Sequence, residues 1–413
     1  MERREFLTVA GGILALGRTV GQSDSWTESA YRSDGQTVRP SDQLGAEVFS
    51  RRVERLRAEL TTRKLDLFVA APSTNYAYFT GYNPGRSERF IGLFVPVRGA
   101  PVIVCPAFEV ERITRNTTLP GIDVRGWEEQ DDPFALVKRT VGPMKPQRGR
   151  GEAIVEATLD YGSSLRLDAA LGSGWRTQSA QPVTERLRMI KFPEELALIR
   201  SAIAITEAAI AAAFAALTPG VTERQVADAL ADDMRRRGAS GGDGLVQFGP
   251  SSALPHGGPG GPKLEKEMVV LIDAGCRVGG YTSDITRTIW YGDTPGDEFK
   301  KVFNLVHDAQ TAAMGFGVPF TVTCEQMDAT ARRVITAGGY GPSFTHRLGH
   351  GMGMDGHETP YLVQGNETRL EPGMVFTIEP GIYQLGKFGV RIEDDVRVTD
   401  SGLEVLSHRP NKY

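Results

Sequence analysis

The sequence predicts a mixed α/β chain (α/β first, α+β after) with two folded domains, the second built from two halves of like order. Three observations carry this. The 413 residues are too many for one ordinary domain, and 40% are apolar, enough for sizeable cores. Gly (48) and Pro (24) punctuate short apolar runs throughout, as strands and turns require and a helical bundle does not. And one order of features, helix, Pro, capped helix, Gly, histidine loop and acidic hairpin, occurs twice after residue 186.

The chain opens with charges, Arg3 and Arg4 among them, then Phe6-Leu7 and a short, weakly apolar stretch. Residues 1–21 resemble a twin-arginine export signal, which implies export, to the periplasm. Residues 22–44 are polar and repeat nothing, a tether. No run of 18 apolar residues follows, so no membrane span is expected.

Residues 45–185 read as an α/β domain. Val53, Leu56 and Leu60 share a helical face within residues 47–65. Apolar runs at 65–71, 90–96, 101–106 and 153–157, bounded by Pro and Gly, are strands. This stretch holds no histidine, so it is not expected to supply metal ligands.

Residues 186–413 form the second domain. Pro193 starts an alanine-rich helix with Leu196, Ile199, Ile203 and Ile210 on one face. Thr222-x-x-Gln225 is a capping box for the next, and a Gly/Pro-rich loop with His256 follows. Strands ending in Asp273 and containing Asp284 come after it. The second half repeats the plan: Phe299, Val302, Phe303 and Val306 on a helix, a Thr323-x-x-Gln326 box, a glycine-rich loop with His346, His350 and His357, and a hairpin with Glu379 and Glu393.

Composition excludes several classes. A net charge of −4 gives no basic field for nucleic acid. Three scattered cysteines make neither a disulfide framework nor a thiolate zinc site. The acidic hairpins are more telling. With the midpoint of the pair at Val278/Gly279, where Gly279-Gly280 supplies a tight turn, the first hairpin is expected to place Asp273 directly opposite Asp284, and the second mirrors Glu379 and Glu393 about Gly386. Facing like charges destabilise a sheet, so each pair needs a shared proton or a cation. Two pairs beside a histidine loop favour cations. One imidazole and four carboxylates suit two divalent ions, manganese first, with cobalt, zinc or iron as the alternatives. Two such ions can activate water and polarise a carbonyl, which is machinery for hydrolysis.

Asp273-Ala-Gly, Tyr281-Thr-Ser-Asp284-Ile-Thr-Arg, His350-Gly-Met-Gly with His357-Glu-Thr-Pro, Glu379-Pro-Gly-Ile-Tyr383 and Arg391-Ile-Glu393-Asp-Asp resemble the motifs of the M24, or pita-bread, metallopeptidases. Asn75-Tyr-Ala-Tyr-Phe-Thr-Gly-Tyr82 is similar to a creatinase-type N-terminal domain. The resemblance implies such a domain followed by a pseudo-symmetric pita-bread domain, with Asp273, Asp284, His350, Glu379 and Glu393 as ligands of two metal ions. It also implies an Xaa-Pro aminopeptidase or prolidase acting on small peptides through a hydroxide bridging the metals, and a homodimer. Glu379 would carry the proton, His357 would hold the oxyanion, His256 would orient the substrate, and His346 and Arg391 would shape the proline side. Two other outcomes attach to the same scaffold: a non-peptidase enzyme such as a dimethylsulfoniopropionate lyase, and a non-catalytic binding protein. His307 and His408 carry no assignment.

Overall fold

In the computed structural model, residues 43–413 are described apart from 145, 147, 148, 258 and 259. The export signal over 1–21 and nearly all of the tether over 22–44 lie outside these residues.

The first sheet is built from β1 (Leu67–Ala70), β2 (Gly92–Pro96), β3 (Val102–Pro106), β4 (Asp123–Trp127), β5 (Gly151–Val155) and β6 (Trp175–Ser179), in the order β4-β3-β2-β1-β5-β6. Its strands β1 to β3 are buried on both faces, which explains their continuous apolar runs. Phe68 and Ala70 pack toward Val53, Leu56 and Leu60 of the helix Ala46–Thr62, while Leu67 and Val69 pack toward the helices Pro133–Val141 and Tyr161–Leu171. Strands β4 and β6 escape the sequence reading because Asp123-Val-Arg-Gly-Trp127 and Trp175-Arg-Thr-Gln-Ser179 are edge strands with mostly solvent-facing polar residues.

The second domain stacks helices against two further sheets. One has β7 (Gly241–Phe248), β8 (Met268–Val278), β9 (Tyr281–Thr282) and β10 (Ile285–Tyr291), in the order β10-β8-β7 with β9 pairing β8. The other has β11 (Gly349–Gly351), β12 (Glu358–Leu362), β13 (Val375–Ile378), β16 (Asp394–Val398) and β17 (Leu403–Val405), in the order β12-β11-β13-β16-β17. Strands β14 (Gly381–Gln384) and β15 (Phe388–Arg391) form a separate hairpin. Both capping boxes form, at Thr222 before the helix Glu223–Arg236 and at Thr323 before Cys324–Ala337. The helix Pro193–Ala215 buries far more than the one face its sequence suggested, including Leu198, Ala202, Ile205 and Ala209. By length and composition it would suit a membrane, yet most of it is enclosed by the core.

The alternation of β8 positions the chemistry. Val270, Ile272 and Ala274 enter the core under the helices Pro193–Ala215 and Glu223–Arg236, so Asp273 faces the other way, between the two sheets. Three local readings need correction. The sequence predicts loop where β7 forms, because Gly241-Gly-Asp-Gly244 has little strand propensity; pairing along all eight residues with β8 overrides it. The stretch carrying His346, His350 and His357 is not all loop, since His350 sits on β11. And Asp273 does not face Asp284 directly: it pairs with Thr286. Gly279 and Gly280 have φ of 54° and 87°, as a two-residue type I′ turn requires, which pairs Val278 with Tyr281 and places the two aspartates on a diagonal of one face. In the second hairpin, Ile378 pairs with Asp394 and Gly381 with Arg391, so 379 and 393 share one register position.

The domains are joined through buried polar contacts. Arg52 donates to Glu195 Oε1 at 2.8 Å, to Tyr281 Oη at 2.5 Å and to the Tyr78 carbonyl at 2.8 Å, and is 1% exposed. A buried charge paired in this way ties helix Ala46–Thr62 to the catalytic half.

Candidate metal centre

Asp273 and Asp284 from the first sheet meet His350, Glu379 and Glu393 from the second. Ligand atoms of Asp273, Asp284 and Glu393 lie within 4.8 Å of one another, as do those of His350, Glu379 and Glu393, and of Asp284, His350 and His357. They line a cavity of about 450 Å³ together with His256, His346, Arg347, His357 and Arg391. A wider recess of about 700 Å³ shares Asp273, Asp284 and His357, so the carboxylates are reached from two sides.

Backbone packing holds His350. A Cβ on Gly349 would stand 2.0 Å from the Thr377 carbonyl oxygen, and one on Gly351 would stand 2.2 Å from that of Thr359. Only glycine on both sides lets β11 press this closely against its neighbours. The His350 N–H donates to Thr377 Oγ1 at 3.1 Å, and its Nδ1 donates to the Gly351 carbonyl at 3.0 Å. That leaves Nε2 as a lone pair, 3.4 Å from Glu379 Oε1 and 3.7 Å from Asp284 Oδ2. Burial, then the neighbouring His357, pushes the imidazole pKa down to about 3, so the ring is neutral at neutral pH. An imidazole lone pair beside crowded carboxylates in a buried pocket fits a divalent cation.

The acids tell the same story. Burial first, and then the charge of Asp273, raises the Asp284 carboxyl well above the ordinary range. Burial and Asp284 do the same to Glu393, and burial pushes Glu379 up to about 7 against the pull of Arg391. Thr286 Oγ1 donates to Glu393 Oε2 at 2.6 Å, and Thr377 Oγ1 to Glu379 Oε1 at 3.3 Å, each fixing one oxygen.

The accessory residues fall into two groups. His357 is exposed, its ring centroid 3.8 Å from that of His350, and Arg347 donates to its Nδ1 at 3.2 Å, which leaves Nε2 carrying the proton. His256 is likewise exposed in the cavity wall. Arg391 and His346 are instead engaged by protein. Arg391, 3% exposed, donates to Asp273 Oδ2 at 2.6 Å, to Thr286 Oγ1 at 3.0 Å and to Tyr383 Oη at 2.8 Å. Tyr383 passes its own proton to His346 Nε2 at 2.8 Å, and His346 Nδ1 donates to the Arg347 carbonyl at 2.7 Å. Each guanidinium nitrogen of Arg391 and each ring nitrogen of His346 has a hydrogen-bond partner, which fixes both side chains in the cavity wall.

Sequence reasoning missed four contributors. Tyr383 and Asp395, whose carboxylate accepts the Asp284 N–H at 3.1 Å, stand inside the quoted motifs. Arg347 had no signal beyond its neighbour His346. Glu223, the first residue of a capped helix, is 1% exposed and anchors the His256 loop. Its carboxylate accepts from the N–H groups of Phe248 (2.7 Å), Gly260 (3.0 Å) and Gly261 (2.8 Å), and from Ser251 Oγ. Glu223→Gln places an NH₂ against these donors and is expected to cost about 1–3 kcal/mol, read as a fall of a few degrees in Tm with a raised KM. An unchanged Tm would contradict this anchoring.

A neutral imidazole set among four inward carboxylates, between two helix-backed sheets, defines a metal-dependent hydrolase. Residues 197–400 match the model of metallopeptidase family M24, and residues 52–190 match that of the creatinase/prolidase N-terminal domain. An Xaa-Pro dipeptidase from Lactobacillus helveticus is 36% identical over 86% of this chain and 96% of its own length. A dipeptidase from Mycobacterium ulcerans aligns with a TM-score of 0.82 and 34% identity, over 90% of this chain and 98% of that one. A prolidase from Thermococcus sibiricus gives 0.78 and 33%, over 87% and 97%. The chain belongs to the M24 metallopeptidases, in the branch with a creatinase-type N-terminal domain followed by a pita-bread domain.

Proposed function

We propose that the protein hydrolyses the peptide bond preceding proline in short peptides, as an Xaa-Pro dipeptidase or aminopeptidase, with two divalent ions held by Asp273, Asp284, His350, Glu379 and Glu393. The observation that carries the reading is the convergence of those five side chains around an unprotonated imidazole. The printed activities of the relatives support the substrate class. The oxygen-rich donor set favours manganese over the alternatives.

Bound there, the ions would acidify a water and polarise the scissile carbonyl. The remaining work falls to the chain. Glu379, one of whose oxygens is held by Thr377 Oγ1, takes the proton of the attacking water and delivers it to the leaving nitrogen. His357 offers its Nε2–H to the oxyanion that develops on the carbonyl. His256 orients the substrate, and the fixed Arg391–Tyr383–His346 wall shapes the proline side. Proline has no N–H and a fixed φ, so strand-like recognition fails and a dedicated wall is needed.

A peptide panel tests this. Ala-Pro or Ala-Pro-Ala is expected to be cut before proline, with Mn²⁺ or Co²⁺ restoring activity after chelation. Cleavage of the dipeptide alone identifies a dipeptidase, and cleavage of the tripeptide an aminopeptidase. No turnover of either by metal-loaded protein would overturn the proposal.

A further inference from the structure

We infer that Arg188 is a positioning residue for His357, through which the N-terminal domain sets the geometry of the catalytic site; this rests on the oxyanion role proposed for His357. Arg188 lies on the helix Gln181–Met189, which joins the two domains. Its Nη2 donates to Asp355 Oδ2 at 2.6 Å and also to Glu358 Oε2. One guanidinium therefore grips the residues two before and one after His357. The remaining oxygens of that pair are held as well: Thr74 Oγ1 donates to Asp355 Oδ1 at 2.7 Å, and Lys191 Nζ to Glu358 Oε1 at 2.7 Å. Arg188 Nη1 donates to Asn75 Oδ1 at 3.1 Å, completing the link to the first domain. Side-chain exposure is 11% for Arg188, 8% for Glu358 and 2% for Lys191, so these charges are shielded from water.

The clamp has something to restrain. Gly356, immediately before His357, has no heavy atom within 4 Å of where a Cβ would stand, and His357 itself is exposed. Packing alone does not place the ring. On its other side the segment is tied to the catalytic domain, by Arg277 Nη1 on the Met354 carbonyl at 2.5 Å and the Thr282 N–H on that of Gly353 at 2.8 Å. Nη2 bridges the two carboxylates while Nη1 reaches Asn75, a spread of donors that the single nitrogen of lysine does not cover.

The experiment is a double-mutant cycle on the full-length, metal-loaded chain with Xaa-Pro peptides. Arg188→Ala is expected to lower kcat about 100-fold, the size of effect a displacement of about 1 Å produces, with KM little changed. Arg188→Lys recovers part of this, and Asp355→Asn, which keeps the Arg188–Glu358 pair, shows a smaller loss in the same direction. In a His357→Ala background Arg188→Ala adds little further loss. An equal loss in both backgrounds, or full activity of Arg188→Ala, would overturn the inference. Ring-carbon NMR of the histidines gives a second readout that needs no turnover: the His357 signal moves or broadens in Arg188→Ala while that of His256 stays. A stationary His357 signal refutes the clamp, whereas a wild-type chain inert to Xaa-Pro peptides refutes the functional proposal alone.

Discussion

Asp284→Ala is expected to abolish hydrolysis and, at the same time, to stabilise the metal-free protein. Asp284 belongs to two of the three candidate ligand groups, so its loss is expected to weaken both of the proposed ion positions together. Activity should fall below about one-thousandth of the parent, more than the loss of a single oxyanion donor costs. The stability change has the opposite sign. Burial and the charge of Asp273 already disfavour the ionised Asp284 carboxyl, so at neutral pH in the absence of metal this side chain opposes folding. Removing it relieves that repulsion, with Tm rising roughly 2–4 °C per kcal/mol recovered. Its backbone N–H keeps the bond to Asp395. The pair of measurements is metal content with kcat on one side and metal-free Tm on the other. Two retained ions would sink the ligand assignment, and a lowered Tm would sink the account of why the site is costly to build.

That opposition also explains why the centre was readable in the sequence. Carboxylates set in or beside apolar strands and turned toward one buried pocket are poor choices for folding, so Asp273, Asp284, Glu379 and Glu393 stand out against the strands around them. The histidines stand out by scarcity, since none of the six lies before His256. The capping boxes at Thr222 and Thr323 were legible because their signal is local, contained in four residues.

What stayed hidden depends on partners distant in sequence. Strand β7 exists because β8 pairs along its whole length, and nothing in Gly241-Gly-Asp-Gly244 announces that. The register of β8 against β10 was misplaced by a single turn position, because a type I′ turn at Gly279-Gly280 moves the partner of Asp273 from Asp284 to Thr286. Tyr383, Glu223 and Arg188 are ordinary residues in the sequence, and only the fold brings them to His346, the His256 loop and the His357 segment. Spacing can nominate the ligands; the groups that orient them answer to tertiary contacts.

The second large effect is a pH-dependent gap in stability between metal-loaded and metal-free protein. Without metal, Glu379 holds its proton up to about 7, and Asp284 and Glu393 are also raised, whereas in the unfolded chain such carboxyls ionise near their ordinary values. From about pH 4.5 upward the metal-free fold therefore binds more protons than the unfolded chain, and these acids subtract stability as pH rises. Histidines act in the opposite sense. His346 is pushed down to about 4 by burial and then Arg391, and His350 to about 3, so both add stability as pH rises toward 6.5. Their contribution cancels between the two forms, because the rings are neutral with metal or without it. The difference in Tm thus isolates the carboxylates. Metal needs them deprotonated, so the gap is expected to widen steadily from pH 5 to pH 8. With metal at about a thousand times its Kd, the stabilisation is roughly 4 kcal/mol, which corresponds to roughly 8–16 °C. Titration calorimetry in two buffers of different ionisation enthalpy should register protons released on metal addition near pH 6.5. A gap that is flat with pH, with no proton release, would mean that Asp284, Glu379 and Glu393 are already ionised in the metal-free fold. Repulsion among these acids would then not oppose folding, although the ligand set itself would stand.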